Sequence, residues 1–273
     1  MNTSLAFGQY YPASSAVHRM DPRAKILLLI AYIVLIFLVK NFLGFAAAGA
    51  FLVLAVILAR VPILSVLKSV RAILFIIVLT FFINLFFHKE DDARVFVEWS
   101  VFVITDKSIR FAVFMALRLV YLILGSSLLT LTTTPVSLTD GIESLLTPLK
   151  WIRFPVHELA LIMSIALRFI PTLMEETNRI INAQKARGAD FESGNLFKRV
   201  KALLPVLIPL LVSAFRRADE LGDAMDARCY SGSKNRTKYK KLKFSYRDLL
   251  ATLVLSATFA GVILLNIYGV NVI

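Results

Sequence analysis

A single cysteine, Cys229, and three scattered histidines are all the soft metal ligands in 273 residues. No internal disulfide can form, and no metal site is expected. Charge is scarce as well. Only 18% of residues are charged against 58% hydrophobic, and the mean hydropathy is +0.74. These values exclude a disordered chain, a disulfide-stapled secreted domain and a soluble enzyme. No Gly-Lys dipeptide occurs anywhere, so the G-x-x-x-x-G-K-[ST] phosphate cradle cannot be written and ATP hydrolysis is not expected here. His157-Glu158 opens an H-E-x-x-H zincin pattern, but Leu161 stands where the second ligand belongs. Ser126, Ser127 and Thr132 to Thr134 have no histidine base nearby and suit helix packing or capping. No catalytic residue is expected. Met1 to Pro22 also lacks the apolar run of a signal peptide.

What the chain does have is apolar length. Five crossings are expected, each measured against the ~20 residues that span ~30 Å of hydrocarbon. They are Ile26 to Val39, Asn41 to Ala59, Ala72 to Phe87, about Phe111 to Leu131, and about Leu249 to Tyr268. The first has only 14 uncharged residues between Lys25 and Lys40. It is read as a span whose flanking lysines extend their stems and keep their ammonium groups at the interfaces. Asn41 to Gly44 reads as a turn, Val61 to Arg71 as a short basic connection, and His88 to Lys107 as a polar loop.

The 31 basic and 18 acidic residues leave a formal charge of +13. Nucleic acid is one class of partner for such a chain, but the bilayer accounts for the charge more simply. With the N-terminus inside, only Lys40, Lys89, Arg94, Lys107 and Arg110 fall outside and Arg118 lies within a span. The positive-inside tendency therefore fixes the orientation, and no nucleic acid is expected. The basic stretch Lys234 to Lys243 is expected to hold anionic lipid.

Between the fourth and fifth spans, Val156 to Met174 and Ala202 to Phe215 are also apolar. Drawing them as spans would put Arg179, Lys185, Arg187, Lys198, Arg199 and Lys201 outside, against that tendency. They also carry His157, Glu158, Arg168, Pro171, Pro205 and Pro209. Two long helices on the cytoplasmic side are expected instead. One runs over Val156 to Arg187 with a bend at Pro171, about 48 Å long at ~1.5 Å per residue, and the other over about Lys198 to Arg228. Each begins apolar and ends polar. The expected fold is thus an all-α membrane protein with three parts: residues 1–131 with four spans, a cytoplasmic coupling region over 132–248, and a terminal span over 249–273.

Three features of this region carry the functional reading. Ala214, Ala218 and Gly222 recur every four residues, a small-residue stripe that suits a close crossing with the other helix or ordinary packing. Ala186-Arg187-Gly188 and Ala227-Arg228-Cys229 end the two helices in the form A-x-x-A-R-small, with the arginines 41 positions apart. One copy is explained by helix-dipole and C-cap preferences. Two copies on matching helices point to two similar sockets on a dimeric or pseudo-dimeric partner, each accepting a guanidinium. Arg118 is read as a structural, bundle-facing charge bonded to carbonyls or to a polar residue such as Asn84, since a pumped solute usually needs several such groups.

The N-terminal run Gly8-Gln9-Tyr10-Tyr11-Pro12, with Ser15, His18 and Asp21-Pro22-Arg23-x-Lys25, is similar to the entry motif of the transmembrane T component of prokaryotic energy-coupling-factor transporters in its shared-module form, EcfT. Thr134-Pro135, Pro155-Val156-His157-Glu158-Leu159-Ala160, Arg168-Phe169-Ile170-Pro171 and Ala186-Arg187-Gly188 follow in the family's order, so the resemblance covers essentially the whole chain. It implies a non-catalytic coupling subunit of a vitamin or micronutrient importer. Two ABC-type ATPases, which hold the ATP and magnesium, would each accept one helix tip through Arg187 or Arg228. A small membrane S component would carry the substrate and be reoriented by their motion. No cofactor is implied for this chain. One departure is Cys229 where the family has glycine. Cysteine lacks glycine's freedom at positive φ, so the second helix is expected to end differently or to bind its ATPase less tightly. The competing reading is a self-contained seven-span secondary transporter or channel, which would put Ser193 outside the cell.

Overall fold

The structure, a computed structural model, describes residues 10–87, 95–99, 102–152, 154–189, 191, 195–230, 232 and 242–268. Gly8, Gln9, Ser193 and most of the Lys234 to Lys243 stretch lie outside the described residues. Among the described residues eight α-helices follow one another: α1 (Pro22–Leu38), α2 (Phe42–Ala59), α3 (Ile63–Phe87), α4 (Asp106–Thr132), α5 (Pro135–Leu146), α6 (Val156–Ala186), α7 (Leu196–Ala227) and α8 (Tyr246–Tyr268). A 3-10 turn, Thr147–Ile152, links α5 to α6. The fold is the expected all-α membrane architecture with one addition. Val95–Trp99 (β1) and Phe102–Thr105 (β2) pair as an antiparallel hairpin inside the polar loop, where β-branched and aromatic residues favour extended backbone.

Packing divides the chain into two compact units, residues 1–145 with 242–273, and residues 146–241. The last helix thus belongs with the first five. In the first unit α1 packs against α4 and α8, α2 against α8 and α4, and α3 along α4. Its core is built from Leu35 and Ile36 of α1 with its cap residue Val39, Phe45, Ala48 and Leu52 of α2, Phe114 of α4, and Leu255 and Val262 of α8. Phe114 is fully buried, edge-on to Phe45 at 4.7 Å. Two glycines let aromatic rings into the seams. A Cβ on Gly49 would lie 2.5 Å from the Tyr121 hydroxyl, and one on Gly125 would overlap the Tyr32 ring. Tyr32 in turn donates its hydroxyl to the Tyr121 carbonyl at 3.3 Å, so α1, α2 and α4 are tied through two tyrosines and two small residues.

Among the described residues five helices are long and apolar enough to cross a membrane: α2, α3, α4, α6 and α8. The number is the expected one but the membership differs. At 17 residues α1 is shorter than the others, about 26 Å at ~1.5 Å per residue, while α6 qualifies through its apolar first half.

Three local expectations are corrected. Val61 to Arg71 is not a connection, because α3 begins at Ile63 and carries Lys68 and Arg71 exposed on its first turns, where long basic side chains are good helix formers. The turn at Asn41 to Gly44 contracts to a cap. The Asn41 side chain accepts the Gly44 N–H at 2.7 Å and α2 starts at Phe42. Lys25 does not extend its ammonium into solvent but is buried at 6% exposure. Its ammonium donates to the Thr132 carbonyl at 2.9 Å, to Thr133 Oγ1 at 3.1 Å and to the His18 carbonyl at 3.4 Å.

Candidate coupling helix ends

Both long helices of the second unit end in the same hydrogen-bonded device. At the end of α6 the Gly188 N–H donates to the Lys185 carbonyl at 3.0 Å and the Ala189 N–H to the Gln184 carbonyl at 2.9 Å. At the end of α7 the Cys229 N–H donates to the Asp226 carbonyl at 2.8 Å and the Tyr230 N–H to the Met225 carbonyl at 3.0 Å. Each pair is a complete Schellman closure, with an arginine as the C-cap and the next residue left-handed. Gly188 has φ of 85° and Cys229 has φ of 55°. The expectation that cysteine would end the second helix differently is therefore corrected: Cys229 adopts the glycine conformation. Two backbone bonds hold it there against a left-handed cost of roughly 1–2 kcal/mol for a residue with a Cβ. Arg187, Gly188, Arg228 and Cys229 are all exposed, as are Ala186 and Ala227. Among the described residues neither guanidinium has an ion-pair or hydrogen-bond partner.

The helices α6 and α7 run antiparallel where they touch, and polar groups mark the contact. Glu176 on α6 accepts from the Ser213 hydroxyl at 2.5 Å and from Arg217 Nη2 at 2.7 Å. Eight residues further along α6, the Gln184 amide reaches the Pro205 carbonyl at 3.5 Å. Those hydrogen bonds hold the Glu176 carboxyl below the usual carboxylate range, the Ser213 hydroxyl contributing most and the Arg217 charge adding to it. The contact therefore runs along Ser213 and Arg217, one residue before each of Ala214 and Ala218. Ala214 is half-buried, Ala218 is exposed, and a Cβ on Gly222 would meet nothing within 4 Å. Helix α6 continues through Pro171, and α7 through Pro205 and Pro209.

Arg118 is half-buried in the first unit. Its Nη2 donates to the Val39 carbonyl at 3.0 Å, and its guanidinium lies 5.3 Å from the Phe114 ring centre and 5.6 Å from that of Phe37. Asn84 is not its partner, because that amide turns back to the Thr80 carbonyl on its own helix at 2.8 Å. The carbonyl is available because Val39 caps α1 and leaves the helix ladder there.

Sequence reasoning missed a buried polar junction that ties the N-terminal residues to α4 and α8. Asp21 caps α1 by accepting the Arg23 N–H at 2.9 Å, while its own N–H donates to Asp248 Oδ1 at 3.0 Å. Asp248 Oδ2 accepts the Ser245 N–H at 2.7 Å. The Tyr11 N–H donates to the Leu131 carbonyl at 2.9 Å, and the His18 ring bridges the Ser15 hydroxyl and the Tyr11 carbonyl. Part of this was visible as Ser245-x-x-Asp248 before an apolar run, a capping-box spacing.

A family model described as cobalt transport protein, CbiQ, matches residues 13–239. A protein of Ruminiclostridium cellulolyticum is 48% identical over 97% of this chain and 98% of its own length. One of Thermosediminibacter oceani is 50% identical over 90% and 92%, and one of Bacillus subtilis is 46% identical over 94% and 97%. All three are named energy-coupling factor transporter transmembrane protein EcfT. The chain belongs to the CbiQ/EcfT family of transporter transmembrane proteins. The N-terminal run Asp21-Pro22-Arg23-x-Lys25 has a physical meaning in this chain. Asp21 caps α1, Pro22 takes the first helical position, where its missing N–H is harmless, and Lys25 gathers the end of α4. Ala186-Arg187-Gly188 is the end of α6 just described.

Proposed function

We propose that this CbiQ/EcfT family member is the non-catalytic coupling subunit of an energy-coupling-factor importer in a prokaryotic cell membrane. Its N-terminus and the unit formed by α6 and α7 face the cytoplasm, following the sorting of basic residues. Arg187 and Arg228 each enter a socket on one of two ABC-type ATPases, which bind the ATP and magnesium. Movement of the ATPases is passed along α6 and α7 to a small membrane S component that carries a vitamin or other micronutrient. The observation that carries this reading is the equality of the two helix ends: the same closure, an arginine at the same position, both exposed. Two equal plugs need two equal sockets, and a pair of related ATPases offers them.

The test is the double substitution Arg187→Ala and Arg228→Ala in the co-expressed transporter. The expected result is normal membrane insertion with loss of ATPase co-purification or of ATP-driven uptake. Undiminished assembly and uptake would reject the assignment. The seven-span transporter reading draws on one observation, the apolar length of α6; α7 is not among the helices that qualify. Ser193→Cys in a Cys229→Ser background, labelled with a membrane-impermeant maleimide on intact cells, separates the two. The coupling reading expects no label.

A further inference from the structure

The first unit contains a cavity of about 330 Å³ between α1, α2, α4 and α8. Its inner wall is apolar, formed by side chains such as Leu29, Ala55, Leu128 and Ala251. Leu54, Leu58 and Leu250 also line it and are 43–54% exposed, so it opens sideways between α2 and α8. The volume falls within the ~300–1,000 Å³ of small-molecule sites. A polar solute would find almost no partner on that wall, whereas hydrocarbon would.

Charge at the cavity is of one sign. Lys25 and Arg247 line it, and among the described residues no carboxylate does. The Lys25 ammonium is already engaged by Thr132, Thr133 and His18. Arg23 is neutralised by Asp21 at 3.3 Å and lies over Phe244. The Asp248 carboxylate is turned to backbone N–H groups. Arg247 is left with a single bond from Nε to the Tyr246 hydroxyl at 3.4 Å, and it pairs with no carboxylate among the described residues. It sits with Tyr246 in the first turn of α8, the kind of tyrosine and arginine pairing found at headgroup level.

We propose that this cavity is a binding site for one anionic phospholipid, with an acyl chain lying between α2 and α8 and the headgroup phosphate paired with the Arg247 guanidinium. The planar fork of donors suits a phosphate, and the absence of a lining carboxylate among the described residues removes the repulsion that would favour a zwitterionic lipid instead. The site does not depend on how α6 and α7 engage their partners.

Native mass spectrometry of the full-length protein, with phosphatidylglycerol or phosphatidylcholine of the same acyl chains, tests this directly. The expected result is one phosphatidylglycerol per chain at roughly tenfold lower lipid concentration than phosphatidylcholine. Arg247→Gln should abolish that preference, while Arg23→Gln should keep it. Ala55→Phe and Ala251→Phe should each weaken both lipids about tenfold. A maleimide attached after folding to Ala251→Cys, in a Cys229→Ser background, should do the same and does not depend on folding with a bulky residue. Equal retention of the two lipids, a preference that survives Arg247→Gln, or occupancy that survives the maleimide overturns the proposal. Cross-linking of Ala251→Cys to a helix of another subunit in the assembled transporter would also overturn it, since that helix would then be the occupant.

Discussion

Cys229 ends α7 in the left-handed conformation that Gly188 adopts at the end of α6, and it does so with the same pair of backbone hydrogen bonds. The two tips therefore present arginine in the same local frame although one lacks glycine's backbone freedom. The strain should be measurable. Cys229→Gly removes roughly 1 kcal/mol of left-handed cost, so hydrogen exchange at the Tyr230 amide should slow severalfold. Cys229→Val adds a β-branch at positive φ and should speed it. Equal exchange in all three proteins would show that the closure carries no such strain.

The Glu176 contact should respond to acid with a definite sign. Its carboxyl is held below the usual carboxylate range by Ser213 and then Arg217, so the contribution is fully present above the ordinary carboxylate pKa. It disappears as pH falls through the lowered value. Spin labels on α6 and α7 should report a narrow distance distribution at neutral pH and a broader one in acid. Glu176→Gln should broaden it at neutral pH, and Arg217→Met should add little to that variant, because both act on one contact.

Most of the secondary structure was legible because hydrophobic length and charge act locally. The starts and ends of α6, α7 and α8 fall within a few residues of where apolar runs and caps put them. The connection at Val61 to Arg71 was misread because Lys68 and Arg71 look like a boundary, while a helix can carry both on its exposed side. The partners of Arg118 and Lys25 were out of reach for a different reason. Both bond to carbonyls at helix ends, Val39 for one and Thr132 for the other, and every residue carries the same backbone acceptor. Only the fold decides which carbonyl lies free. Glu176 lies 37 and 41 positions from Ser213 and Arg217 in sequence, and the three show no pattern that would single them out. The two helix ends were legible as a repeat, yet the equality of their closures needed coordinates.

The tyrosine and glycine seams predict a specific rescue. Gly125→Ala places a methyl group into the Tyr32 ring, and overpacking of this kind costs about 1–3 kcal/mol. Thermal unfolding in detergent should move down by several degrees. Tyr32→Leu alone should cost less in the Gly125→Ala background than in the parent, because the smaller side chain makes room. Strictly additive shifts would mean that the ring moves aside without cost.

Removal of Lys25 should loosen the N-terminal residues rather than the bundle. Lys25→Met keeps the apolar stem but leaves the buried Thr132 carbonyl and Thr133 hydroxyl without their donor, a loss of about 1–3 kcal/mol. The cost falls on the contact that holds residues 11–21 against the end of α4, where the Tyr11 N–H meets the Leu131 carbonyl. Limited proteolysis of the Lys25→Met protein should therefore cut after Arg19 or Arg23 many times faster than in the parent, while the helical content by circular dichroism stays the same. Asp248→Ala should produce the same cleavage from the other side, because it removes the acceptor of the Asp21 N–H. If either variant unfolded the helices before exposing that site, the junction would be part of the bundle's core and not the clasp of its N-terminal residues.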